Sequence, residues 1–134
     1  MQLTTNFHLS EFACKDGTPV PYNLKDKVQA LAKQLQILRD YLNEPIHINS
    51  GYRTPAYNKK IGGKPNSYHM KAMAADITVK SKTPKQLASV VEKLISNGTL
   101  KIGGIGVYPG FVHVDTRKVK ARWWTLSGIN AAYL

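Results

Sequence analysis

A chain of 134 residues, 43% hydrophobic and 20% charged, is sized for one compact domain spanning 1–134 and is too apolar to stay disordered. No apolar run approaches the roughly 18 residues a membrane span needs, and Cys14 is the one cysteine, so helical membrane proteins and disulfide scaffolds are excluded. The 19 Lys and Arg against 8 Asp and Glu leave a net charge of +11, which favours a polyanionic partner such as nucleic acid, an anionic membrane surface or an acidic cell-wall polymer.

Residues 1–23 read as an irregular or short-helical entry, with turn signals at Lys15-Asp16-Gly17 and from Pro19 to Asn23. The opening MQLTTNFHLSEF has no basic stretch followed by an apolar core, so the expectation is synthesis in the cytoplasm without a signal peptide. Apolar residues at 24, 28, 31, 35, 38 and 42 alternate four- and three-residue spacings, which predicts an amphipathic helix from Leu24 that ends before Asn43-Glu44-Pro45. Ile46 to Ser50 alternates apolar and polar residues and predicts a strand, with His47 facing outward.

Residues 51–68 form a long connection with Pro55, Gly62, Gly63 and Pro65 and one helical turn near Ala56 to Lys60. A connection of that length inside a small domain is often functional. Ala74 to Val79 predicts a second strand. Thr83-Pro84 supplies an N-cap with proline at the first helical position, and Asn97-Gly98 a stop, so a second helix is expected over 84–97. Its buried stripe is expected to be Leu87, Val90, Val91, Leu94 and Ile95. Gly104 to Tyr108 and Phe111 to Asp115, joined at Pro109-Gly110, predict a hairpin, and Trp123-Trp124 are expected to pack back over the sheet. Strands and helices do not alternate in βαβ fashion, so the expected fold class is α+β: a small antiparallel sheet with helices packed on it.

Acids are scarce, and Asp76 and Asp115 are the two set in apolar, strand-like sequence, where a carboxylate needs a reason. His69 lies in the glycine-rich connection seven residues before Asp76, and His113 sits in the middle of Phe-Val-His-Val-Asp. Two imidazoles and one carboxylate make a full protein ligand set for a catalytic zinc, with a fourth position open to water. The rival reading of a lone strand histidine is a hydrogen-bonded core residue, and spacing alone does not decide between them.

Ser67-x-His69, Asp76 after six intervening residues, and His113-x-Asp115 further on, preceded by Ser50-Gly51-Tyr52-Arg53-Thr54-Pro55, resemble the signature of peptidase family M15. This is the family of zinc D-Ala-D-Ala carboxypeptidases and peptidoglycan endopeptidases with the Hedgehog/DD-peptidase fold. The resemblance runs from Ser50 to near Arg117, about half the chain, and is greatest to short single-domain members, many of them phage-encoded endolysins. It implies Zn²⁺ held by His69, Asp76 and His113. It also implies substrate binding and oxyanion stabilisation by Arg53, a substrate contact from Ser67, and hydrolysis of an amide bond in the peptide stem or cross-bridge of peptidoglycan.

Two departures stand out. The family pattern has glycine three positions after the first histidine, and this chain has Ala72, a mild change unless the backbone there takes a positive φ. Many members carry an acid as general base three residues before the last histidine, where this chain has Gly110; others carry a histidine five residues before it, where this chain has Tyr108. Asp115 is the remaining candidate. On an extended strand it shares a face with His113, either as the base or as a carboxylate that orients a ligand imidazole. Tyr108 is a candidate hydrogen-bond donor to the tetrahedral intermediate or a buried hairpin tyrosine.

Two other readings compete. A catalytically silent, zinc-containing wall-binding module is favoured by Gly110, and a nucleic-acid-binding domain is favoured by charge alone. The chain has no RNP, KH, helix-turn-helix or zinc-finger pattern, so nucleic acid is not the expected partner. The expected protein is a monomer acting on the cell wall, reached through a lysis pore, a virion or another route.

Overall fold

The computed structural model describes residues 1–126 and 129–132, with side chains through Thr125. After two 3₁₀ turns, Leu9–Phe12 and Tyr22–Leu24, come helix α1 (Lys25–Leu42), strand β1 (His47–Ser50), helix α2 (Pro55–Lys60) and a third 3₁₀ turn (Tyr68–Lys71). They are followed by β2 (Ala74–Thr78), α3 (Pro84–Ser96), β3 (Gly104–Val107), β4 (Val112–Asp115), β5 (Ala121–Leu126) and β6 (Ile129–Ala132). The architecture is α+β.

Helix α1 starts at Lys25, because Leu24 is still in the preceding 3₁₀ turn. It ends on Asn43, whose φ of 53° is a left-handed cap that asparagine accepts more readily than most residues. Its buried stripe is Val28, Leu31, Leu35 and Leu38, with Ala32 beside it. Helix α3 is opened by a capping box, in which the Thr83 hydroxyl oxygen accepts from Gln86 N while Thr83 N donates to the Gln86 side chain. Leu87, Ala88, Val91 and Leu94 are its buried residues. Val90 and Ile95 only flank the core, so the buried face is turned by about one position from the stripe expected from apolarity alone.

The sheet has the order β1-β2-β4-β3-β5-β6. All neighbours are antiparallel except β3 and β5, which run parallel. The sheet is thus antiparallel as expected, apart from that one pair. The pair corrects the placement of Trp123-Trp124: the segment does not lie over the sheet but joins it as β5, with Trp123 opposite Gly106 and Trp124 exposed.

Register positions the site. Ser50 stands opposite Asp76, Asp76 opposite His113, His113 opposite Gly106, and Gly106 opposite Trp123. Cross-strand partners share a face, so one row across five strands presents Asp76, His113 and Trp123 together. The alternate positions, Ile48, Ala75, Ile77, Ile105, Val112 and Val114, face the opposite way and join Leu31, Leu35, Leu38, Leu87 and Val91 in one core cluster. Helix α3 packs on β3 and β4 from that side.

Candidate metal centre

His69 reaches the row from the 3₁₀ turn before β2. Ser67 caps that turn, its hydroxyl oxygen accepting from His69 N at 3.1 Å. The turn ends at Ala72, whose φ of 56° lies in the left-handed region. The glycine of the family pattern is therefore replaced at a position where the backbone does take a positive φ. His69 is 2% exposed and Asp76 4%.

The three side chains converge. Donor atoms of His69, Asp76 and His113 all lie within 4.8 Å of one another. His69 Nε2 is 3.1 Å from Asp76 Oδ1, and His113 Nδ1 is 3.2 Å from the same oxygen. The far nitrogens are committed. His69 Nδ1 donates to the Gly51 carbonyl at 2.7 Å, and His113 Nε2 donates to Asp115 Oδ2 at 2.7 Å.

This arrangement tests whether a cation fits. A carbonyl only accepts, so the His69 proton sits on Nδ1, and the neutral ring turns the Nε2 lone pair toward a carboxylate oxygen. With its proton on Nε2, a neutral His113 ring turns a second lone pair toward the same buried carboxylate, and the two repel it unless a proton on His113 or a cation supplies positive charge there. Burial holds the His69 pKa below its ordinary value and disfavours a second proton there. At His113 burial also opposes charge, but the hydrogen bonds with Asp115 and Asp76 outweigh it and the pKa is raised. Asp76, despite burial, is held well below the carboxylate range by its contacts with His113 and His69. The donor set thus demands positive charge at its centre, and a divalent cation fits it.

Arg53 completes one side. Its Nη2 donates to Asp76 Oδ2, Nη1 to Asn58 Oδ1 and Nε to Ser50 Oγ, each at 3.2 Å, while its backbone N donates to the His69 carbonyl at 3.0 Å. Asp115 closes the other side. Its Oδ1 accepts from Arg117 N and Nε, and its Oδ2 accepts from Arg117 Nη2 and His113 Nε2. With 0% exposure, Asp115 does not border the cleft.

That cleft, about 700 Å³, lies above the row. Arg53, Ser67, His69, Asp76, Tyr108 and His113 all border it. The Tyr108 ring stacks on Phe111 at 4.5 Å, and its hydroxyl oxygen accepts from Trp123 Nε1 at 3.0 Å. Among the described residues, Asp76 is the cleft's only carboxylate, and Gly110 lies in the turn beside it with open space around it. His8 and His47 are exposed and outside the cleft, and Cys14 is a buried free thiol.

Three participants were missed by sequence reasoning. Asn58, 3% exposed, holds Arg53 and donates to the Lys64 carbonyl at 2.8 Å, and nothing in its sequence context marks it. Trp123 packs against His113 with ring centroids 5.0 Å apart. Arg117 did carry a signal, since it stands two residues beyond Asp115 in an extended run.

Over 94 residues the chain is 33% identical to a zinc D-Ala-D-Ala carboxypeptidase of Streptomyces albus G, covering 69% of this chain and 35% of that protein. It therefore spans about a third of that relative's length. Residues 5–115, which hold all three converging side chains and both of their flanking partners up to Asp115, match the Peptidase M15 family, and the chain belongs to that family.

Proposed function

We propose that this chain is a zinc-dependent peptidase that hydrolyses an amide bond in the peptide stem or cross-bridge of peptidoglycan, with His69, Asp76 and His113 as the ligands. One observation carries the reading: three buried donors converge on the cleft floor with the far nitrogen of each imidazole already committed. Family membership and the name of the Streptomyces relative support it. Zinc in such a set keeps a coordination position open, polarises a carbonyl and lowers the pKa of water to about 7.

The protein's own groups do the rest. Arg53 borders the cleft with its guanidinium beside Asp76, where a permanent charge and a planar fork of donors stabilise negative charge developing on a carbonyl oxygen. Because Trp123 donates to the Tyr108 oxygen, the Tyr108 proton is left to be donated to the substrate, and Ser67 borders the same cleft. Asp115, with four hydrogen bonds filling both oxygens, holds the His113 proton on Nε2 and so keeps Nδ1 as the ligating atom. The net charge of +11 complements the free carboxylates of muropeptides and the anionic polymers of cell envelopes. The chain acts as one catalytic domain over 1–134, as a monomer, on the cell wall.

A second reading, a zinc-containing wall-binding module without turnover, is favoured by the lack, among the described residues, of any carboxylate but Asp76 along the cleft. Digestion of purified sacculi followed by mass spectrometry of the released muropeptides separates the two. Hydrolysis at one stem or cross-bridge bond, abolished by chelation and restored by Zn²⁺, is the expected result. Intact sacculi that retain zinc-loaded protein would establish the binding module instead.

A further inference from the structure

We infer that Arg117 is a positioning residue of the metal centre, tying the Asp115–His113 pair to the Tyr68–His69 turn so that two ligands on separate elements keep one geometry. The inference rests on the zinc-peptidase reading above. Arg117 Nε donates to Asp115 Oδ1 at 2.8 Å and Nη2 donates to Asp115 Oδ2 at 2.7 Å, a parallel two-bond fork. Its backbone N adds a third bond to Oδ1 at 3.1 Å. Asp115 Oδ2 then accepts from His113 Nε2. A guanidinium, a carboxylate and an imidazole thus form one chain that ends on a ligand.

The same guanidinium lies 4.4 Å from the centre of the Tyr68 ring and 5.2 Å from that of Trp123. Tyr68 immediately precedes His69, and Trp123 packs against His113. Arg117 therefore touches the neighbourhoods of both histidines without touching either. Space is reserved for it. A β-carbon on Gly103 would stand 1.9 Å from the Arg117 carbonyl oxygen, and one on Gly104 would stand 2.3 Å from Asp115 Oδ2. Glycine weakens a strand, and here two adjacent glycines at the start of β3 admit this pair.

Removal of the guanidinium leaves Asp115 fully buried with His113 as its one remaining side-chain partner, and that carboxylate loses the fork that sets its plane. The effect is read on metal binding and not only on turnover. Metal-free wild type, Arg117→Gln, Arg117→Lys and Lys118→Gln are titrated with Zn²⁺ against a chromogenic chelator, with circular dichroism checking the fold of each.

Arg117→Gln is expected to weaken zinc binding about 10–100-fold, the usual cost of losing an outer partner of a ligand. Lys restores little of this, because an ammonium cannot supply two parallel bonds, and Lys118→Gln, an exposed neighbour with the same charge loss, changes nothing. If Arg117→Gln fails to fold, the zinc dissociation rate of Arg117→Lys carries the test and is expected to rise. Zinc affinity of Arg117→Gln within about twofold of wild type, or full recovery by Lys, would overturn the inference. Wild-type protein that binds no zinc is a different result, which overturns the metal centre itself.

Discussion

His113 donates through Nε2 to Asp115 Oδ2 at 2.7 Å, with both side chains on one face of β4 and Asp115 wholly buried behind the histidine. The bond fixes which ring nitrogen is left to face Asp76. Asp115→Asn keeps the shape and loses the charge, so its expected effect is about 10–100-fold weaker zinc binding. Activity should recover substantially at saturating zinc. Rate measured against free zinc checks this; a variant that binds zinc as tightly as wild type yet stays inactive throughout would make Asp115 the general base, with a loss of about 10²-fold or more.

Arg53 touches Asp76 Oδ2 as well as the cleft, so its removal acts on metal and substrate together. At saturating zinc, Arg53→Ala is expected to lose about 10²–10³-fold in kcat, the size of one lost donor to a developing oxyanion. Arg53→Lys should rescue little, since a point charge cannot reach Asp76, Asn58 and Ser50 at once. Near-normal turnover in the alanine variant would remove Arg53 from the reaction.

Elemental analysis of protein purified without chelator should find one zinc per chain. His69→Ala and His113→Ala should each lose it, and His47→Ala, exposed on β1, should keep it. Zinc retained by either of the first two variants would count against the ligand set.

Ala72 holds a left-handed φ of 56°, which costs an L-residue about 1–2 kcal/mol. Glycine relieves that cost, but it loses a buried methyl, about 0.8 kcal/mol, and adds freedom to the unfolded chain, about 0.4–1 kcal/mol. The terms nearly cancel. Ala72→Gly is therefore expected to stay within about 1 kcal/mol of wild type in urea denaturation, whereas Ala88→Gly in the buried face of α3 loses about 1–2 kcal/mol. Equal losses at the two positions would show that the turn carries no strain.

Glu92 on α3 accepts from Arg122 on β5 through both oxygens, Oε2 from Nε at 2.7 Å and Oε1 from Nη2 at 2.9 Å. The hydrogen bonds from Arg122 hold the Glu92 pKa below its ordinary 4.5. A depressed acid adds stability above its unfolded pKa and loses it as pH falls through the folded value. Glu92 is 45% exposed, so solvent screening keeps the pair under about 1 kcal/mol. Thermal unfolding of Glu92→Gln should fall below wild type near neutral pH, and the gap should close in acid below the folded pKa. A gap that widens in acid would contradict the assignment.

Much of the local structure was legible because it rests on neighbours in the chain. The spacing from Leu24 to Leu42, Thr83-Pro84 and Asn97-Gly98 placed both long helices to within a residue or two. Alternation from Ile46 to Ser50, the run from Ala74 to Val79 and the hairpin signal at Pro109-Gly110 placed β1, β2, β3 and β4. The position of β5 was not legible: Trp123-Trp124 reads as a tail covering the sheet, and only pairing with β3 makes it a strand.

Local sequence supplies the side chains available at the centre: two imidazoles and an acid in apolar or glycine-rich surroundings, with Arg53 upstream in a recognisable run. How they meet depends on long-range pairing. The register that sets Asp76 opposite His113 is a relation between strands far apart in the chain. So are the hydrogen bond of Arg53 to Asp76 and the contact of Arg117 with Tyr68. Periodicity is a local property and survives in any window of the chain, whereas a hydrogen bond across the sheet exists only once distant strands have paired.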